Sequence, residues 1–150
     1  KNDHFYDHFS RIKRNIPGFS FVIADLPSLA HPSGRASLAL PTELLLVTTA
    51  DLPSVIEAAK AAQEADALHI PITGVVVNML RHESSELSLP NIRALVQKPI
   101  VAAIPDDPAV RQSLRIKHPV VHSHPDSAAS VALKRLAAGL LGQEYRDSLQ

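Results

Sequence analysis

The chain has no cysteine and no tryptophan, and its aromatic residues are four phenylalanines and two tyrosines. Without cysteine, disulfides and thiolate metal sites are excluded. The composition fits a reducing compartment, so a cytoplasmic location is expected. Neither charge is in excess, since fifteen Lys and Arg offset fifteen Asp and Glu. A protein that grips nucleic acid regardless of sequence shows a basic surplus or patch, and there is no direct nucleic-acid signal of that kind. No apolar run approaches the roughly 20 residues of a membrane span, and no signal peptide is visible. The end, GQEYRDSLQ, lacks the broad apolar face and basic cluster of an interfacial helix, so no membrane anchor is expected in this chain. The core must be built from Ala, Leu, Val and Ile. The 150 residues have the size of one domain. They open at Lys1 inside what reads as a helix, so a segment of a longer protein is expected.

Short β-rich apolar runs alternate with Ala-rich amphipathic stretches. Residues 3–15 put Phe5, Phe9 and Ile12 at helical spacing before Pro17-Gly18. Phe19 to Ala24 reads as a buried strand closed by Asp25. Residues 26–42 form a long loop with a short helix at 34–40. Leu44 to Thr49 is a second strand, and 54–68 is a helix with Val55, Ala58, Ala59 and Ala62 inward. Thr73 to Met79 is a third strand, followed by a polar loop over 81–90 and a short helix at 91–97. Pro99 to Ile104 is a fourth strand. A helix over 108–115 follows, then a short last strand at His118 to His122. Asp126 caps a final helix that runs to about Leu141, where Gly142 is a C-cap signal. Continuous Val/Ile/Leu strands with helices between them imply an α/β fold, a mostly parallel sheet flanked by helices on both faces.

In such sheets ligands bind at the carboxyl ends of the strands. The polar residues there are Asp25, Thr48 and Thr49, Asn78, and Pro105-Asp106-Asp107. An Asp that ends an apolar strand can hold magnesium through water beside a triphosphate; it can equally cap a turn. Asn78 can offer an amide donor and acceptor to a purine edge or satisfy loop backbone. The Pro-Asp-Asp turn can be a helix N-cap or can wrap a base with its backbone groups.

The segments FVIADLPS, LLLVTTADLPSVIEAAKA, GVVVNM and AAIPDDPAVRQSL, followed by PVVHSHPDSAASVALKRLAAGLLG, resemble the second half of MinD/ParA-like P-loop ATPases in order and spacing. The resemblance covers roughly residues 19–142 and is most specific from Ile104 to Val110. It implies half of a SIMIBI-type nucleotide-binding domain occupying 1–150, with ATP and Mg as cofactors. In it Asp25 would be the catalytic acid that orders magnesium and its waters. Asn78 would contact the adenine edge, Pro105, Asp106 and Asp107 would pack against the adenine, and Ser28 would belong to the switch that senses the γ-phosphate. It also implies a homodimer, a regulatory protein partner, and work in cell division, partitioning or positioning. In relatives of this kind the phosphate-loop strand lies between the strand ending at Asp25 and the one starting at Leu44.

This sequence departs from the pattern at several points. It contains no Gly-Lys-Gly-Gly-x-Gly-Lys-Thr-type loop, Leu29 stands where a glycine is common, and Met79 stands where an arginine often follows the strand-ending Asn. The chain is an ATPase if joined to an upstream phosphate-binding loop, and by itself it is expected to be inactive and to bind nucleotide weakly. A rival reading is a non-catalytic docking or receiver-like domain of the same fold. An electron-transfer or metal-cluster assembly ATPase is disfavoured because that branch uses cysteines. His4, Asp7 and His8 share a helix face at zinc-binding spacing, but no third ligand is placed, and a solvated face is the simpler account. His118, His122 and His124 read as exposed histidines, with His122 and His124 on one side of a strand. Ser28, Asp25 and His31 lack a nucleophile elbow and make no triad.

Overall fold

The structure is a computed structural model and describes residues 21–27, 38 and 41–145. Three parallel strands, β1 (Leu44–Thr48), β2 (Ile72–Leu80) and β3 (Ile100–Pro105), lie in the order β1-β2-β3. Helices α1 (Leu52–Ala67), α2 (Leu89–Val96), α3 (Pro108–Arg115), α4 (Val120–Ser123) and α5 (Ala128–Leu140) connect and flank them. The fold is therefore α/β, as the alternation of runs implies.

Side-chain alternation along the strands divides the core in two. On one face Leu46, Val75 and Val77 pack against Val55, Ala58 and Ala62 of α1 and Ile92 and Val96 of α2. On the other, Val76 and Ile104 pack against Ala129, with Ala132, Leu133 and Leu136 of α5 beside them. The alanine stripe of α1 lets that helix lie close to the sheet. Gly74 does the same between strands, because Val75 N–H donates to Pro99 O at 2.8 Å beside it.

Caps decide where the helices begin. The Asp51 side chain accepts from Ser54 N–H, so α1 starts at Leu52 with Pro53 in its first turn, where a missing N–H costs nothing. Ser88 caps α2, which starts at Leu89 rather than 91, inside the expected loop. Ser127, and not Asp126, caps α5 by accepting from Ser130 N–H. Gly142, at φ +66°, ends α5 as expected, and Gln143 N–H closes the turn on Ala138 O.

Two strand expectations are corrected. Residues 118–122 are not a strand: Pro119 precedes a single helical turn, with His122 and Ser123 N–H both donating to Pro119 O. Residues 21–24, the described part of the expected 19–24 strand, have no strand structure. Phe21, Val22 and Ile23 are 60, 54 and 93% exposed, and Val47 on the unpaired side of the sheet is 63% exposed. A strand is a property of a pair, and neither run has a neighbour on that side among the described residues. The two do not close on each other. Leu38 is a buried turn residue. The rest of the expected 34–40 helix, the 3–15 helix, Ser28, Leu29, His31 and the His4, Asp7 and His8 cluster lie outside the described residues.

A Cβ on Gly74 would overlap Val101 Cγ1 and stand 3.0 Å from Pro99 O. Gly74→Ala is therefore expected to cost about 1–3 kcal/mol in urea unfolding, as overpacking does. Adding Val101→Ala, which removes the overlapping methyl, should recover part of that loss; a fully stable single variant would mean the strands do not approach this closely.

Candidate functional site

The carboxyl ends of the three strands meet along one rim of the sheet. At the end of β1, Thr49 Oγ1 donates to the Asp51 carboxylate and lies 2.8 Å from Ser54 Oγ, while Ser54 N–H donates to Asp51 at 2.9 Å. These bonds, the Thr49 hydroxyl first, hold the Asp51 carboxyl below the ordinary range. The rim is tied across by Leu87 N–H donating to Ala50 O at 2.8 Å and Asp106 N–H donating to Leu80 O at 3.0 Å.

β2 is irregular where it reaches this rim. Val77 pairs with Ala103 and Leu80 with Pro105, so Asn78 and Met79 together oppose Ile104 alone. This is a β-bulge, and its second residue, Met79, sits at φ +54°. Left-handed backbone disfavours a non-glycine residue by about 1–2 kcal/mol, so the surrounding pairing must hold Met79 there. Bulges of this kind re-aim a side chain beside a site. Asn78 is half-buried, and its amide makes no hydrogen bond within the described residues.

The two aspartates that follow β3 have different work. Asp106 accepts from Arg81 Nε at 2.7 Å with one oxygen and from Arg111 at 3.0 Å with the other. Arg81, first, holds the Asp106 carboxyl low, and the guanidinium is raised in return. Arg81 is itself held from behind, its backbone N–H donating to the Glu86 carboxylate at 3.1 Å. Asp107 caps α3 through Ala109 N–H at 2.9 Å and, with its other oxygen, caps α5 through Ala129 N–H at 3.0 Å. Those two backbone donors, Ala129 first, keep its carboxyl below the ordinary range.

Of the residues singled out by sequence, Asn78, Pro105, Asp106 and Asp107 thus stand together at the ends of adjacent strands. Asp25 is exposed in the irregular 21–27 segment, and Ser28 is outside the described residues. Sequence reading passed over Arg81 and Arg111. Arg81 directly follows β2 on the same rim, which is the one local signal it carries. Of the histidines, His118 and His122 meet edge to face at 6.3 Å, and His124, whose Nδ1 is 3.0 Å from Ser123 Oγ, lies near enough to Asp107 to help hold its carboxyl low.

Residues 1–141 match the profile of the family described as cellulose biosynthesis protein BcsQ. The chain belongs to that family. The BcsQ family is of the MinD/ParA-like P-loop ATPase kind, and the relatives agree with this. An uncharacterized ATP-binding protein of Methanocaldococcus jannaschii is 29% identical over 129 residues, covering 86% of this chain and 49% of that protein. The septum site-determining protein MinD of Synechocystis is 28% identical over 130 residues, covering 84% and 49%. MinD of Pyrococcus horikoshii, solved with Mg-ADP, superposes with a TM-score of 0.80 at 20% identity, covering 88% of this chain and 54% of that one; this likeness establishes the fold. The chain spans about half the length of the curated relatives it matches.

In this BcsQ-family chain Asp107 joins two helix N-termini, so Asp107→Ala is expected to cost about 1–2 kcal/mol in urea unfolding, the usual range for a lost cap. Because its carboxyl is lowered in the folded chain, the stabilisation is complete above the ordinary Asp range and fades as pH falls through the lowered value. Stability should therefore drop in acid below about pH 4, and Asp107→Asn, with no charge to lose, should flatten part of that drop. An unchanged acid limb in Asp107→Asn would assign the drop to other carboxylates.

Proposed function

We propose that this chain is the carboxyl-side part of an ATP-dependent switch that dimerises with nucleotide, and that it contributes the base-binding end of the site. The observation that carries the reading is the bulged end of β2. It leaves the half-buried Asn78 amide unengaged among the described residues, on the rim that also carries the Pro105-Asp106-Asp107 turn and where an α/β sheet holds its ligand. An amide with one donor and one acceptor fits an adenine edge, which offers the complementary pair.

Asn78 would then read the base, and Pro105 with the backbone of Asp106 and Asp107 would pack against it. Asp25 would order the waters of magnesium, which supplies charge neutralisation on the phosphates when bound. Asp25 is one exposed carboxylate and fits a water-mediated contact, not a closed ligand set. Phosphate binding requires a backbone nest from elsewhere in the protein, since this sequence holds no such loop. The family description points to cellulose biosynthesis as the process, and positioning is the kind of work a dimerising switch with a regulatory protein partner would do there. No helix among the described residues is long and apolar enough to cross a membrane; we place the switch in the cytoplasm.

In the full-length protein, Asn78→Ala is expected to raise the Mg-ATP dissociation constant about tenfold, the scale of a lost buried hydrogen-bond pair, while inorganic triphosphate binding stays as it was. Equal losses for both ligands would remove Asn78 from base recognition. Asp25→Asn should lower turnover far more than it weakens Mg-ATP binding, because the carboxylate's charge acts on the metal's water shell in the transition state. Wild-type protein without measurable turnover or nucleotide binding would leave the fold as a docking module.

A further inference from the structure

Asp106 directly follows β3, on the rim proposed above to hold the base. A guanine edge presents two adjacent donors, N1–H and the N2 amino group. An ionised carboxylate accepts only, and can take both at once. An adenine edge presents a donor and an acceptor, for which a carboxylate is a poor partner and an amide a good one. On this rim the amide, Asn78, is unengaged among the described residues, and the carboxylate, Asp106, one strand over, is engaged at both oxygens. Its Oδ2 takes Arg81 Nε at 2.7 Å and its Oδ1 takes Arg111 at 3.0 Å, so each oxygen is spoken for by a different guanidinium.

The Arg81 contact is braced on both sides. Arg81 is fixed at its backbone by both oxygens of Glu86, of which Oε2 also accepts from Glu83 N–H at 3.2 Å. The Asp106 backbone is fixed by its bond to Leu80 O. Arg111 is the weaker member, since it reaches back from the exposed side of α3 and is the more exposed of the two cations.

We propose that Arg81, with Arg111, determines base selectivity by withholding the Asp106 carboxylate from the nucleotide, so that the site favours adenine over guanine. Arg81 is a positioning residue, acting through Asp106 rather than touching the base. The proposal rests on the base-site reading given above. A site built to hydrogen-bond a group rejects the analogue that leaves its polar atoms unpaired; removing the two guanidinium partners creates such a demand for guanine.

The test uses the full-length protein and measures dissociation constants for Mg-ATP and Mg-GTP by titration calorimetry. Wild type should prefer Mg-ATP. Arg81→Ala combined with Arg111→Ala should shrink that preference about tenfold or more, the scale of one gained charged hydrogen bond. Adding Asp106→Ala to the double variant should restore the preference, because the freed acceptor is then gone. General damage to the rim would weaken both nucleotides and would not be rescued. Should the double variant not fold, Arg81→Gln and Arg111→Ala singly are measured in its place, each expected to move the ratio in the same direction. A wild type that prefers Mg-GTP, or variants that bind with the wild-type ratio, would overturn the proposal while leaving the base site in place. A wild type that binds neither nucleotide would overturn the site reading and the proposal together.

Discussion

Val75, Val76 and Val77 occupy the place on which the rest of the sheet depends. β2 pairs with β1 along one edge and β3 along the other, and helices cover both faces at these residues. Continuous β-branched residues suit such a strand because no face needs to be polar. The helical crossovers α1 and α2 between the strands make the neighbours of β2 parallel to it, and with that three strand ends gather on one rim. Asn78 is thus presented at the rim by the burial of the residues before it. The bulge at Asn78 and Met79 lies between the Val77 and Leu80 pairings with β3. The positive φ of Met79 is held by the return to register at Leu80.

The three paired strands were legible in the sequence because each is an apolar run bounded by turn residues, and the run itself is the physical cause of burial. The helix starts were less legible, since a cap is chosen by geometry among neighbouring candidates. Ser127 and Asp126 both qualify by type, and the chain uses Ser127. At 118–122 the short apolar pair Val120-Val121 between histidines reads as a strand by composition, but Pro119 offers its carbonyl to two following N–H groups and a turn of helix results. At 21–24 the run reads as a strand by composition, yet its backbone groups need a neighbour that the described residues do not supply.

The site divides along the same line. Asp107 as a cap of α3 follows from its place before Pro108, a local relation. Its second bond, to Ala129, joins residues 22 positions apart, and the Arg81–Asp106 pair spans 25. No local spacing rule reaches that far. Such contacts exist because β2 and β3 are adjacent and α5 packs back over β3, so they are consequences of the sheet and invisible until it is assembled.

Two adjacent aspartates with the same charge and nearly the same place therefore do different things. Asp107 turns inward to two backbone donors and has no oxygen left over; what it holds is the angle between α3 and α5. Asp106 turns outward to two guanidinium groups on partly exposed side chains, where salt screens the attraction and either cation can let go. The first arrangement suits permanent architecture and the second a contact that can be exchanged. With Asp107 committed to the fold and Asp106 held by removable partners, the turn after β3 can keep its backbone in place while the Asp106 carboxylate is kept occupied.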